Sequence, residues 1–149
     1  MRIEDEIKQK KFKSEYQKMY INLVYTANRL NTQQMRMFKE FGLSVQQYNI
    51  LRILRGQVST AVNLGLIQDR MLDKNSNASR LIEKLKIKKL VERKESKIDR
   101  RQVDIMITEK GLDLLKKMDV KVEEAELIDS NLTKQEAETL SDLLDKLRG

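Results

Sequence analysis

The chain contains no cysteine, no histidine and no proline, and aromatic residues make up only 5 % of its 149 positions. Each absence removes a class of chemistry. Without cysteine there are no disulfides, no thiolate metal sites and no thiol redox switch. Without histidine the usual zinc ligands go, as do the Ser-His-Asp and Cys-His pairs and the commonest general base. The five glycines (Gly42, Gly56, Gly65, Gly111, Gly149) stand singly and form neither a GxGxxG nor a GxxxxGK[ST] phosphate cradle. The paired carboxylates Glu123 and Glu124 lie on a charged helix face and read as solvated surface. No enzymatic role, metal or cofactor is expected. No apolar run approaches the roughly 18–20 residues of a membrane span, and the N-terminus lacks a signal-peptide apolar core. A soluble, cytoplasmic protein without membrane contact is therefore expected.

Basic residues, by contrast, are plentiful, and they are unevenly placed. Between Lys74 and Arg101 eleven of them face four acids, a local sum of +7 that equals the net charge of the whole chain. The remaining residues are balanced. Charge concentrated in this way points to a polyanionic partner, double-stranded DNA foremost.

Periodicity and capping signals organise the rest. Apolar residues from Ile3 to Phe38 recur mostly at threes and fours, which predicts one long helix with a break near Asn31-Thr32. That stripe is longer than one small domain needs to cover and suggests a partner subunit. Gly42 ends the segment. Ser44 with Gln47 forms a capping-box pattern for a second helix bearing Val45, Tyr48, Leu51 and Leu54. Asn63 caps a short helix to Met71, and a turn at 72–75 leads to a further helix from Ser76 to about Lys88. Its Ala78, Leu81, Ile82 and Leu85 sit at i, i+3, i+4 and i+7. The pair makes a helix-turn-helix. Leu90–Lys94 and the alternating Val103, Ile105 and Ile107 then form a hairpin with a long basic tip, a wing. Thr108 caps the next helix, and Thr133 with Glu136 forms a capping box for the last. From Asp113 onward ten acids face six bases, so this end is expected to stay away from DNA. The fold class is mainly α with a small β-hairpin wing.

Four blocks in order are more specific than the pattern. Ser76-Asn77-Ala78-Ser79-Arg80-Leu81, Leu90-Val91-Glu92-Arg93, Asp99-Arg100-Arg101 and Ile107-Thr108-Glu109-Lys110-Gly111 resemble the S-T-V-S-R-L helix start, LVER strand, DRR wing tip and LTxKG exit of the MarR family of winged helix-turn-helix regulators. The segment Leu43–Leu51 is similar to that family's second helix. The resemblance implies a homodimer in which 1–42 and 109–149 supply the dimerisation helices and 43–108 the DNA-binding lobe. It implies a sequence-specific transcriptional regulator, a ligand-responsive repressor acting on a pseudo-palindromic operator.

By the same resemblance Ser76, Asn77, Ser79, Arg80 and Lys84 belong to the recognition helix, and Lys97, Asp99, Arg100 and Arg101 to the wing. Arg101 matches the residue the family inserts into the minor groove, with Asp99 bracing its guanidinium. Tyr16, Tyr20 and Tyr48 are candidates for a cleft that takes a small aromatic or anionic effector. Structural readings stand beside these: Ser76 as an N-cap, Arg80 as an ion-pair partner of Glu83, the tyrosines as core. Leu72 and Lys89 stand where the family usually has glycine. In a left-handed cap conformation Lys89 costs about 1 kcal/mol relative to glycine. The alternative function is a winged-helix interaction module that presents its basic face to an acidic protein.

Overall fold

Ser44 accepts from the backbone N–H of Gln47 while the Gln47 side chain accepts from the Ser44 N–H, so helix Val45–Arg55 starts on a closed capping box. This helix is the hub of the molecule. In the computed structural model, residues 1–57, 62–95, 103–129 and 131–149 are described, with only the backbone for 124–129. Along the chain run α1 (Ile3–Glu6), α2 (Glu15–Glu40), α3 (Val45–Arg55), α4 (Leu64–Arg70) and α5 (Ala78–Ile87). Then follow β1 (Val91–Glu95), β2 (Val103–Ile107), α6 (Glu109–Asp129) and α7 (Lys134–Arg148). The fold is mainly helical with one antiparallel hairpin, as the sequence predicts. Among the described residues no helix is long and apolar enough to cross a membrane.

One core holds the central elements together. Ile50, Leu51 and Leu54 of α3 meet Ile67 of α4, Ile82 and Leu85 of α5, Ile105 of β2 and Leu115 and Met118 of α6, all essentially inaccessible to water. Each such side chain contributes about 1.5–3 kcal/mol by leaving water. The hairpin runs from Val91↔Ile107 to Glu95↔Val103. Val62 adds a single bridge to the free edge of β2, where the Ile105 N–H donates to the Val62 carbonyl at 2.8 Å.

The outer helices behave differently. The 26 residues of α2 contain one buried side chain, Phe38, and α7 contains none. Tyr16, Tyr20, Leu23, Val24 and Leu30 on α2 are exposed, as are Leu140, Leu143 and Leu147 on α7. Both helices carry apolar faces that the described part of the chain does not cover.

The break in the N-terminal helix lies at 7–14 rather than at Asn31-Thr32. Lys8 takes φ 55°, the Gln9 N–H returns to the Glu4 carbonyl, and Ser14 then caps α2 through the Gln17 N–H. At the expected break the helix is continuous, and the Thr32 hydroxyl donates to the Asn28 carbonyl at 2.8 Å. α1 folds back on α2: Glu4 pairs with Lys18 at 2.6 Å, and the Tyr25 hydroxyl donates to Glu6 at 2.6 Å. That bond to a carboxylate raises the Tyr25 pKa.

Candidate nucleic-acid interface

The turn between α4 and α5 is organised by one aspartate. Asp73 accepts from the Asn75 N–H at 3.1 Å and from the Ser76 hydroxyl at 2.7 Å. The Ser76 hydroxyl and the Asn75 N–H together lower the Asp73 pKa. Asn49 of α3 accepts from the Leu72 N–H at 3.0 Å, tying the turn to the hub. Leu72 itself is 85 % exposed and needs no left-handed backbone, so this turn works without glycine.

Asn77, not Ser76, is the N-cap of α5: its side chain accepts from the Arg80 N–H at 3.0 Å. Ser76 is withdrawn into the Asp73 turn and is half-buried. The cap therefore falls one residue later than the sequence suggested: the Ser76 hydroxyl is held in the turn by Asp73, and the Asn77 side chain is the one that reaches the Arg80 N–H. Asn77, Arg80 and Lys84 lie at i, i+3 and i+7 and share an exposed face. Ser79 is exposed beside them. The cap occupies Asn77 Oδ1 and does not use its amide N–H donors.

Glu83 pairs with Arg93 of β1 rather than with Arg80, so the ion pair joins α5 to the hairpin. Lys94 pairs with Glu92 at 2.7 Å, Lys74 donates to the Asp69 carbonyl, and Lys88 donates to Gly42 and Gln47. That leaves Arg80, Lys84, Lys86 and Lys89 as exposed cations with no ion pair among the described residues. Most of the cations of the basic stretch that form no ion pair among the described residues therefore lie on α5 and its cap. The wing-tip residues Lys97, Asp99, Arg100 and Arg101 lie outside the described residues.

α5 ends in a Schellman motif. The Leu90 N–H reaches the Leu85 carbonyl at 3.0 Å and the Lys89 N–H the Lys86 carbonyl at 2.8 Å. Lys89 occupies the left-handed position with φ 60°. Thr108 then locks the exit: its hydroxyl donates to the Lys89 carbonyl at 2.9 Å and accepts from the Gly111 N–H at 3.1 Å. Gly111 lets α6 approach the start of β1, since a Cβ there would stand 2.5 Å from the Leu90 carbonyl oxygen.

The three tyrosines of the expected effector cleft do not come together. Tyr48 is core, with its ring centroid 4.3 Å from that of Phe38 and its phenol pKa raised by burial. Tyr16 and Tyr20 sit on the open face of α2, 82 % and 63 % exposed. A cleft of about 490 Å³ lies elsewhere, between α2 and the start of α3, lined by Asn31, Met35, Lys39 and residues 42–46. Nothing in the spacing of those residues marks it, because the α2–α3 turn creates it.

No protein-family model matches the sequence, and no curated protein matches it. Solved structures do. A MarR transcription factor from Planctomyces limnophilus is 31 % identical, with 92 % of this chain and 95 % of that one covered at a TM-score of 0.68. The chain belongs to the MarR family. A MarR-like transcription regulator from Bacillus cereus shares the fold at 22 % identity and a TM-score of 0.78, covering 90 % of this chain and 96 % of its own. BpsR of Bordetella bronchiseptica, solved in a study of how 6-hydroxynicotinic acid regulates its DNA binding, matches at 23 % identity. There the TM-score is 0.66, with 85 % of this chain and 99 % of BpsR covered. As a MarR protein the chain is a DNA-binding transcription regulator, a class without enzymatic activity.

Proposed function

We propose that this MarR protein is a homodimeric, ligand-responsive repressor that binds pseudo-palindromic duplex DNA. The carrying observation is the outward face of α5, where Asn77, Ser79, Arg80 and Lys84 stand exposed beside a helix N-terminus. A helix N-terminus favours phosphate through its free N–H groups and dipole. Arginine suits guanine or phosphate, and serine and asparagine bond to either bases or backbone. On this reading Ser76 acts through the turn, and the wing tip (Lys97, Asp99, Arg100, Arg101) reaches the minor groove.

Dimerisation has its own support. The exposed apolar faces of α2 and α7 need a cover, and 1–42 with 109–149 are the segments proposed to provide it for a second copy. Regulation by a small aromatic or anionic compound is supported by BpsR, whose DNA binding 6-hydroxynicotinic acid regulates.

Selection of binding sites from a randomised duplex pool, with the mass of the free protein measured in parallel, tests the reading. A two-fold symmetric consensus with half-sites about one helical turn apart is expected, at twice the 17.6 kDa chain mass. Arg101→Ala should weaken binding to the selected duplex and leave mass and helix content intact. A monomer that enriches no consensus contradicts the proposal.

A further inference from the structure

Lys88 belongs to the lysine-rich end of α5, yet its ammonium is turned to the protein. It donates to the Gly42 carbonyl and to Gln47 Oε1 at 3.3 Å. Gly42, at φ 69°, ends α2 in a Schellman motif: the Leu43 N–H returns to the Phe38 carbonyl and the Gly42 N–H to the Lys39 carbonyl, each at 3.0 Å. Gln47 is 4 % exposed, and the same Oε1 accepts from the Ser44 N–H at 3.1 Å in the capping box of α3. The carbonyl of Lys88, in turn, accepts from Lys110 Nζ of α6 at 3.0 Å. One residue thereby joins the ends of α2 and α5 to the starts of α3 and α6.

The chemistry suits that position. The C-termini of α2 and α5 both present partly negative carbonyls, and a cation between them is favoured by both dipoles. Hydrogen bonds from an ammonium are roughly twice as strong as neutral ones. We infer that Lys88 is a positioning residue that holds the recognition helix at a set angle to α2, and so sets which half-site spacing the protein accepts. The inference rests on the reading of the chain as a DNA-bound dimer built through α2. Small angles matter here: over the roughly 39 Å length of α2, a tilt of about 5° moves the far end by about 3.4 Å, one base-pair rise.

The test uses the duplex selected with the wild-type protein and versions with the half-sites one base pair closer or further apart, each titrated at several salt concentrations. Wild type should prefer the selected spacing. Lys88→Met should lose that preference at least tenfold while keeping the salt dependence of wild type, and Lys88→Arg should restore most of it. Should Lys88→Met fail to fold, Lys88→Gln, which keeps a donor without the charge, takes the same test with the same expectation. A spacing preference equal to wild type in the neutral variant overturns the inference. So does a salt slope that falls by about 0.9 per subunit, the signature of a lost phosphate contact. Absence of any preferred spacing in wild type overturns the dimer reading itself, and the inference with it.

Discussion

Replacing Lys89 with glycine should make the protein more stable, and the amount follows from the backbone. Lys89 holds φ 60° at the end of α5, a conformation that costs an L-residue about 1–2 kcal/mol. Glycine removes that cost but adds unfolded-state entropy worth roughly 0.4–1 kcal/mol. The net gain is about 0.5–1 kcal/mol. Both Schellman bonds and the Thr108 bond to the Lys89 carbonyl involve backbone atoms that glycine keeps. The Lys89 side chain is exposed and in no ion pair among the described residues, so little is lost with it. For a chain of this size the gain corresponds to about 2–3 °C in Tm. Urea unfolding at one fixed protein concentration for every variant should show a higher midpoint at unchanged slope. Lys89→Ala, which removes the side chain and keeps the strained backbone, should stay within about 0.5 kcal/mol of wild type. If alanine stabilises as much as glycine, the strain is not stored at this residue.

Other consequences concern the same frame. Gly111→Ala forces a methyl to within 2.5 Å of the Leu90 carbonyl oxygen, and overpacking of this kind should cost about 1–2 kcal/mol after the helix-propensity gain of alanine, read from thermal melts. Arg55 binds Asp119 through two bonds, at 2.5 and 3.2 Å, clamping α3 to α6, and this contact raises the Arg55 pKa. With both side chains about a third exposed, a double-mutant cycle should return a coupling of only about 1 kcal/mol. The carboxylates of Glu4, Asp73 and Glu136 have lowered pKa values, through Lys18, the Ser76 hydroxyl and the Thr133 N–H respectively. Their contribution is complete above the ordinary values of 4.5, 3.8 and 4.5, and is lost as pH falls through the lower folded values. Glu136→Gln keeps the capping bond, so it should flatten that acid loss slightly while leaving stability at neutral pH nearly unchanged.

Local signals were the readable ones. The Ser44–Gln47 and Thr133–Glu136 capping boxes form as their spacing indicates, since a capping box needs only residues three apart. The alternation of Val103, Ile105 and Ile107 gives the observed return strand. Choices among equivalent local options were not readable. Ser76 and Asn77 are both good caps, and the choice is made by the turn, in which Asp73 holds the Ser76 side chain while Asn77 reaches the Arg80 N–H. Glu83 could reach Arg80 along the helix, but Arg93 arrives from another element. The helix break at Lys8 has no glycine to announce it, and the apolar period runs past it. Of the candidate site, the presence of a helix after the turn was legible to within one residue of its start; the inward use of Lys88 was not, because it depends on where α2 ends in space.

DNA reading by the face of α5 stands or falls most directly on the affinity of Arg80→Ala for the selected duplex, measured beside a scrambled duplex at the same salt. Loss of a base-contacting arginine costs about 1–3 kcal/mol. Wild type should therefore bind the selected duplex roughly 5- to 150-fold more tightly than Arg80→Ala, with a much smaller difference on the scrambled one. Equal affinity of the two proteins for the selected duplex would contradict the assignment of this face to DNA.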